Sequence, residues 1–135
     1  MAVQLLAPTI EVGVVTTNLE AMVGFYRDFL GLPHQADLEF PGGSMKRYAV
    51  GTNVLKLVTY DHPPAAPAVP GGGRAQAGIR YLTLVVANVA EAARDAGAAG
   101  YQVVEPPADF PAVPGMGWSF VADPDGNWVE LVGPI

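Results

Sequence analysis

Two glutamates, a lysine and a tyrosine each stand inside a short β-type run: Glu11 in IEVGVVT, Lys56 in VLKLV, Tyr81 in RYLTLVV and Glu130 in WVELV. A carboxylate is costly to bury without a partner, so its side of the strand must meet water or a compensating charge. Lys56 is the charge expected to compensate Glu11. A glutamate on an otherwise apolar surface suits proton transfer from an acidic carbon or hydroxyl. A nearby ammonium or phenol then steadies the oxyanion or enolate that develops, which gives Lys56 and Tyr81 a role. The same charges also make sense as a purely structural ion-pair cluster.

Alternation decides which face these residues share, because successive strand side chains point to opposite sides. Val12, Val14 and Thr16 oppose Glu11, Gly13 and Val15, and Leu82, Leu84 and Val86 oppose Tyr81, Thr83 and Val85. Leu55 and Leu57 oppose Lys56, while Val129 and Leu131 oppose Glu130. One face is apolar in all four runs and should receive helices. The other collects the four polar residues.

The elements between them repeat. EVGVVTTNLEA lies over YLTLVVANVAE at a shift of seventy positions, with Asn18 on Asn88, and VLKLV lies over WVELV with Lys56 on Glu130. Asn18 offers a helix N-cap, and Leu19, Met22, Val23, Phe25, Tyr26, Phe29 and Leu30 recur at helical spacing up to Gly31 and Pro33. HQADLEF, MKRYAV and VLKLVTY follow as three strands. The second half runs strand, helix over NVAEAARDAGAAG, and strands YQVVE, MGWSFVA and NWVELVG. The fold class predicted is α+β: two βαβββ modules, 1–60 and 79–135, forming a curved mixed sheet with helices on the outer face, in a single domain. DHPPAAPAVPGGGRAQAG, residues 61–78, reads as a linker or flap, from which Arg74 reaches over a bound anion. DPDGNW reads as a turn that its acids shape. If the modules pair pseudo-symmetrically, the four polar side chains converge in one concavity.

Composition narrows the partners. A length of 135 residues fits one compact domain, and a hydrophobic fraction of 50% argues for a folded chain. The net charge of −6 opposes nucleic acid or an anionic membrane as a partner. The absence of cysteine removes disulfides, thiolate nucleophiles and Cys-based zinc sites. MAVQLLAPTI lacks the basic and apolar regions of a signal peptide, and no apolar run nears the roughly 20 residues that cross a bilayer. A soluble, cytoplasmic protein is expected. His34 and His62 read as surface residues, and no Ser-His-Asp set or phosphate loop is visible.

GFYRDFLGL and the terminal DPDGNWVELV resemble the vicinal oxygen chelate superfamily, which includes glyoxalase I, methylmalonyl-CoA epimerase, ring-cleaving dioxygenases and bleomycin- and fosfomycin-resistance proteins. The resemblance spans nearly the whole chain. It implies a divalent metal on the inner sheet face, with His, Glu or Gln ligands from the first and fourth strands of each module. Those places here are Glu11, Lys56, Tyr81 and Glu130, the residues that alternation brings together. Only the two glutamates suit a metal, and a protonated Lys56 repels one. The expectation is therefore no cofactor, the alternative being a divalent metal on Glu11 and Glu130 with waters and substrate oxygens.

The function expected is a metal-independent lyase- or isomerase-type enzyme acting on a small oxygenated metabolite, with Glu11, Glu130, Lys56 and Tyr81 catalytic. Trp128, Trp118, Tyr48 and Arg74 would bind the substrate, and the chain would form a homodimer. Glyoxalase I or dioxygenase activity is not expected. The alternative is a non-catalytic drug- or natural-product-binding protein of the bleomycin-resistance kind.

Overall fold

The computed structural model describes residues 2–135. The chain divides into unit 1, ending at Ala65, and unit 2, Ala66–Ile135. Unit 1 holds β1 (Glu11–Val15), α1 (Leu19–Val23), a π-helix (Gly24–Phe29), β2 (His34–Phe40), β3 (Gly43–Val50) and β4 (Asn53–Tyr60). Unit 2 holds α2 (Gly72–Ala75), β5 (Tyr81–Val85), α3 (Val89–Ala98), β6 (Val103–Asp109), β7 (Met116–Ala122) and β8 (Trp128–Pro134). The class is α+β with two βαβββ units, as the sequence predicts. Hydrogen bonding arranges the strands as two four-stranded mixed sheets, β1-β4-β3-β2 and β5-β8-β7-β6. In each, the first and fourth strands of the unit run parallel and the other neighbours antiparallel.

The apolar sheet faces carry the cores. In unit 1, Leu57 and Tyr48 are buried with Met22, Phe25 and Tyr26 of the helical segment. The expected uninterrupted α-helix after Asn18 instead widens after Val23 into π turns, with Leu30 N–H donating to Phe25 O at 2.9 Å. This wider winding lets the adjacent Phe25 and Tyr26 both reach the core, their rings edge-on at 4.9 Å. Asn18 makes no side-chain cap; Thr16 Oγ1 accepts the Asn18 N–H at 2.9 Å instead. In unit 2, Val89, Ala93 and Ala96 form the buried stripe of α3, and Val121, Val129 and Leu131 are buried on the sheet. The DPDGNW turn is shaped by Asp123, whose Oδ1 accepts the N–H groups of Asp125 and Asn127, each at 2.9 Å. Among the described residues, no helix is long and apolar enough to cross a membrane.

Candidate functional site

The short link through Gly51 and Thr52 sets the register of unit 1. It places Val50 opposite Asn53, and therefore Arg47 opposite Lys56. Parallel pairing then sets Gly13 opposite Lys56. Glu11, Arg47 and Lys56 thus share one sheet face. Arg47 Nη1 and Nη2 donate to Glu11 Oε1 and Oε2 at 2.9 and 2.8 Å, and Arg47 Nε donates to Gln35 Oε1 at 2.9 Å. Lys56 Nζ lies 3.4 Å from Glu11 Oε1. Glu11 is therefore compensated twice, and Arg47, which alternation alone does not single out, is the principal partner. The two-pronged hydrogen bonding of Arg47 holds the Glu11 carboxyl down at about 2, against its ordinary 4.5; burial opposes this and Lys56 adds to it. A carboxylate engaged at both oxygens and held this acidic is a poor proton acceptor.

The depressed Glu11 carboxyl has a sign-definite consequence. Because the folded value lies below the unfolded one, this carboxylate stabilises the protein above the ordinary value of 4.5 and loses that contribution as pH falls toward about 2. The melting-temperature gap between the wild type and Glu11→Gln is expected to close progressively as the pH drops across that interval. A gap that stays constant with pH contradicts the assignment.

Unit 2 repeats the register with different side chains. Thr83 stands opposite Glu130 as Gly13 stands opposite Lys56, and Phe120 stands opposite Glu130 as Arg47 stands opposite Lys56. The charged row of unit 1 becomes aromatic and hydroxylic, with one carboxylate left. Thr83 Oγ1 donates to Glu130 Oε1 at 2.8 Å. Among the described residues, Glu130 forms no ion pair. Phe120 is the hub of the surrounding rings: Tyr81 and Trp118 lie edge-on at 5.0 and 5.8 Å, and Trp128 is tilted at 5.1 Å. Tyr81 is 49% exposed, so its hydroxyl-bearing ring is accessible, whereas Trp128 is buried.

Trp128 is covered by the segment that reads as a linker. Gly72 has φ +53°, a backbone conformation that favours glycine, and sits directly on the indole. Arg74 Nε donates to Glu105 Oε1 at 3.0 Å, and Arg80 Nη2 donates to Val69 O at 2.7 Å. The segment is thereby fastened to unit 2 at three points, and Arg74, expected to bind substrate, is engaged by Glu105.

Tyr48 is the expected substrate-binding residue that the structure relocates. It points to the helix side of β3, is 1% exposed, and meets His34 edge-on at 5.7 Å. Burial raises its phenol above the ordinary range. It is a core residue because it follows Arg47 in the strand and so takes the opposite face. His34 itself is exposed and pairs with Asp37 at 2.8 Å.

The side chains at the positions where the resemblance implies metal ligands do not fit a divalent cation. In unit 1 the single carboxylate is already held by a guanidinium, with an ammonium beside it. In unit 2 Glu130 has Tyr81 and Thr83 for neighbours, and Glu105 is spent on Arg74. Among the described residues, no group of three or more His, Asp or Glu side chains is gathered in a way that suits a metal ion.

The family model of the Glyoxalase/Bleomycin resistance protein/Dioxygenase superfamily matches residues 9–131. No curated protein matches the chain. Among solved structures, a glyoxalase family protein from Bacillus cereus is similar at TM-score 0.83 and 14% identity, covering 100% of this chain and 99% of that one. The trypanothione-dependent glyoxalase I of Leishmania major is similar at TM-score 0.72 and 18% identity, with 91% and 84% covered. A lactoylglutathione lyase from Agrobacterium tumefaciens is similar at TM-score 0.63 and 24% identity, with 92% and 91% covered. At such identities the likeness speaks to the fold and not to the reaction.

Proposed function

The chain belongs to the glyoxalase/bleomycin resistance protein/dioxygenase superfamily, and from that premise we propose a metal-independent lyase- or isomerase-type enzyme that moves a proton on a small oxygenated metabolite. Glu130 is the proton acceptor in this reading, and Tyr81 the hydrogen-bond donor to the oxygen on which charge develops. The observation that carries it is the contrast between the two glutamates. Glu11 is locked by Arg47 at both oxygens, whereas Glu130 accepts one hydroxyl hydrogen bond and keeps lone pairs free on an aromatic surface. Thr83 fixes the carboxylate orientation, and the ring of Phe120 stands opposite Glu130 in the register.

The test is hydrogen exchange at carbon. Small hydroxy- and oxo-compounds are incubated with the protein in heavy water, and deuterium entering the C–H position next to the oxygenated carbon is read by NMR. Catalysed incorporation into one class is expected. Ligands that bind and return chemically unchanged, without exchange, would favour the alternative of a sequestering protein, which the same ring cluster would serve.

The reading includes a homodimer without a resident metal. Protein purified without chelator is expected to run as twice the chain mass in light scattering and to carry no stoichiometric Mn, Fe, Ni or Zn by elemental analysis. A stoichiometric ion would move the reading to metal-assisted chemistry.

A further inference from the structure

We propose that the inner sheet face of unit 1 is an oxyanion-binding site, taking a carboxylate or phosphonate carried on a small apolar body, with Lys56 and Arg47 as its ligands. The site stands apart from the proton-transfer reading of unit 2 and does not depend on it.

The charge count is the first support. Glu11, Arg47 and Lys56 form one cluster of two cations and one carboxylate, so a positive charge is left over on this face of a protein whose net charge is −6. Elsewhere Arg27, Lys46 and Arg74 each meet a carboxylate of their own. The donor count is the second. Arg47 spends Nε on Gln35, one N–H of each Nη on Glu11 and the second N–H of Nη1 on Met45 Sδ at 3.8 Å, which leaves one N–H, on Nη2. Lys56 has three donors, and its approach to Glu11, at 3.4 Å, is longer than a good hydrogen bond. Donors remain on both cations, while the one carboxylate of the cluster is engaged at both oxygens.

The surface beside the cluster supplies the apolar half. An added Cβ on Gly13 would come only to 3.7 Å from Lys56 Cε, so glycine leaves the lysine stem uncovered. Two residues along each strand, register aligns Val15, Val58, Met45 and Leu38 across the sheet. Val15 is 42% and Leu38 47% exposed. A cationic row beside an apolar row fits a short organic acid, its oxyanion on the donors and its hydrocarbon on the adjoining row.

Glu11 is the built-in competitor, since it already occupies the fork of Arg47. That gives the proposal a sign. Removing the Glu11 charge leaves two cations without a carboxylate, and affinity for an external anion must rise.

The whole chain is titrated with isobutyrate, with isopropylphosphonate and with isobutylamine, following backbone amide shifts. Saturable binding of one or both anions is expected, with shifts centred on β1, β3 and β4, and none with the amine. Glu11→Gln is expected to tighten binding by about tenfold, the worth of one charge-assisted contact, and Lys56→Met to weaken it by about the same factor. Lys56→Met keeps the Arg47–Glu11 fork, so its fold is checked by the melting curve. The anion that binds more tightly identifies the ligand as carboxylate or phosphonate. Failure of both anions to bind Glu11→Gln, or binding that Lys56→Met leaves unchanged, overturns the site, whatever the outcome of the exchange assay in unit 2.

Discussion

Glu130→Gln is expected to slow proton exchange into the substrate by about 10²–10⁴-fold, the range that a positioned general base supplies. The substitution is nearly isosteric. The amide oxygen of glutamine still accepts the Thr83 hydroxyl that Glu130 Oε1 accepts at 2.8 Å, and Phe120 still lies opposite in the register. The melting temperature should therefore change little while the proton acceptor is gone. Glu11→Gln provides the contrast, because a carboxylate clamped by Arg47 is not the base. Its effect on exchange should fall well short of that of Glu130→Gln. An undiminished rate in Glu130→Gln sinks the assignment of the base, and equal losses in the two variants sink the contrast on which it rests.

Gly72→Ala is expected to lift the α2 segment from unit 2. An ideal Cβ at that position would lie 2.2 Å from Trp128 Cδ2, 2.5 Å from Cε2 and 2.6 Å from Cε3. An indole buried in a packed face cannot retreat by that much, so the chain must move instead. The left-handed backbone adds a further penalty of roughly 1–2 kcal/mol for any residue with a Cβ. Overpacking of this kind costs about 1–3 kcal/mol where the neighbours can shift at all. Because Arg74 lies within the segment, trypsin reads the result directly. Cleavage after Arg74 should accelerate by an order of magnitude or more, as local opening becomes cheaper by about 1.4 kcal/mol for every factor of ten. A cleavage rate equal to that of the wild type would mean that Gly72 does not seat the segment on Trp128.

The architecture was legible because it is written twice. The alternation in EVGVV and YLTLV, and the seventy-residue offset between them, correspond to β1 and β5 with identical spacing. Which face holds Glu11, Lys56, Tyr81 and Glu130 followed from period two alone. Arg47 was missed because MKRYAV lies in a strand whose facing depends on its partner. The signal was nevertheless present: folding the hairpin about Gly51 and Thr52 puts position 47 opposite 56 by counting. The same count would have sent Tyr48 to the helix side. The π-helix was not legible, since Leu19 to Leu30 satisfy an α pattern. Its cause is tertiary, the packing of two consecutive aromatic rings against one sheet. Nor did composition betray the role of the glycine run at 71–73, because a chain rich in Gly and Pro looks the same whether it is loose or seated on an indole.

Both tryptophans, Trp118 and Trp128, belong to unit 2, and unit 1 has none. Intrinsic indole emission is consequently a reporter for one half of the molecule, whereas circular dichroism in the far ultraviolet sums over both sheets. Recorded together during chemical denaturation, the two signals coincide only if the halves melt as one cooperative body. Any lag between them measures the free energy by which one half outlasts the other, without a label or a mutation.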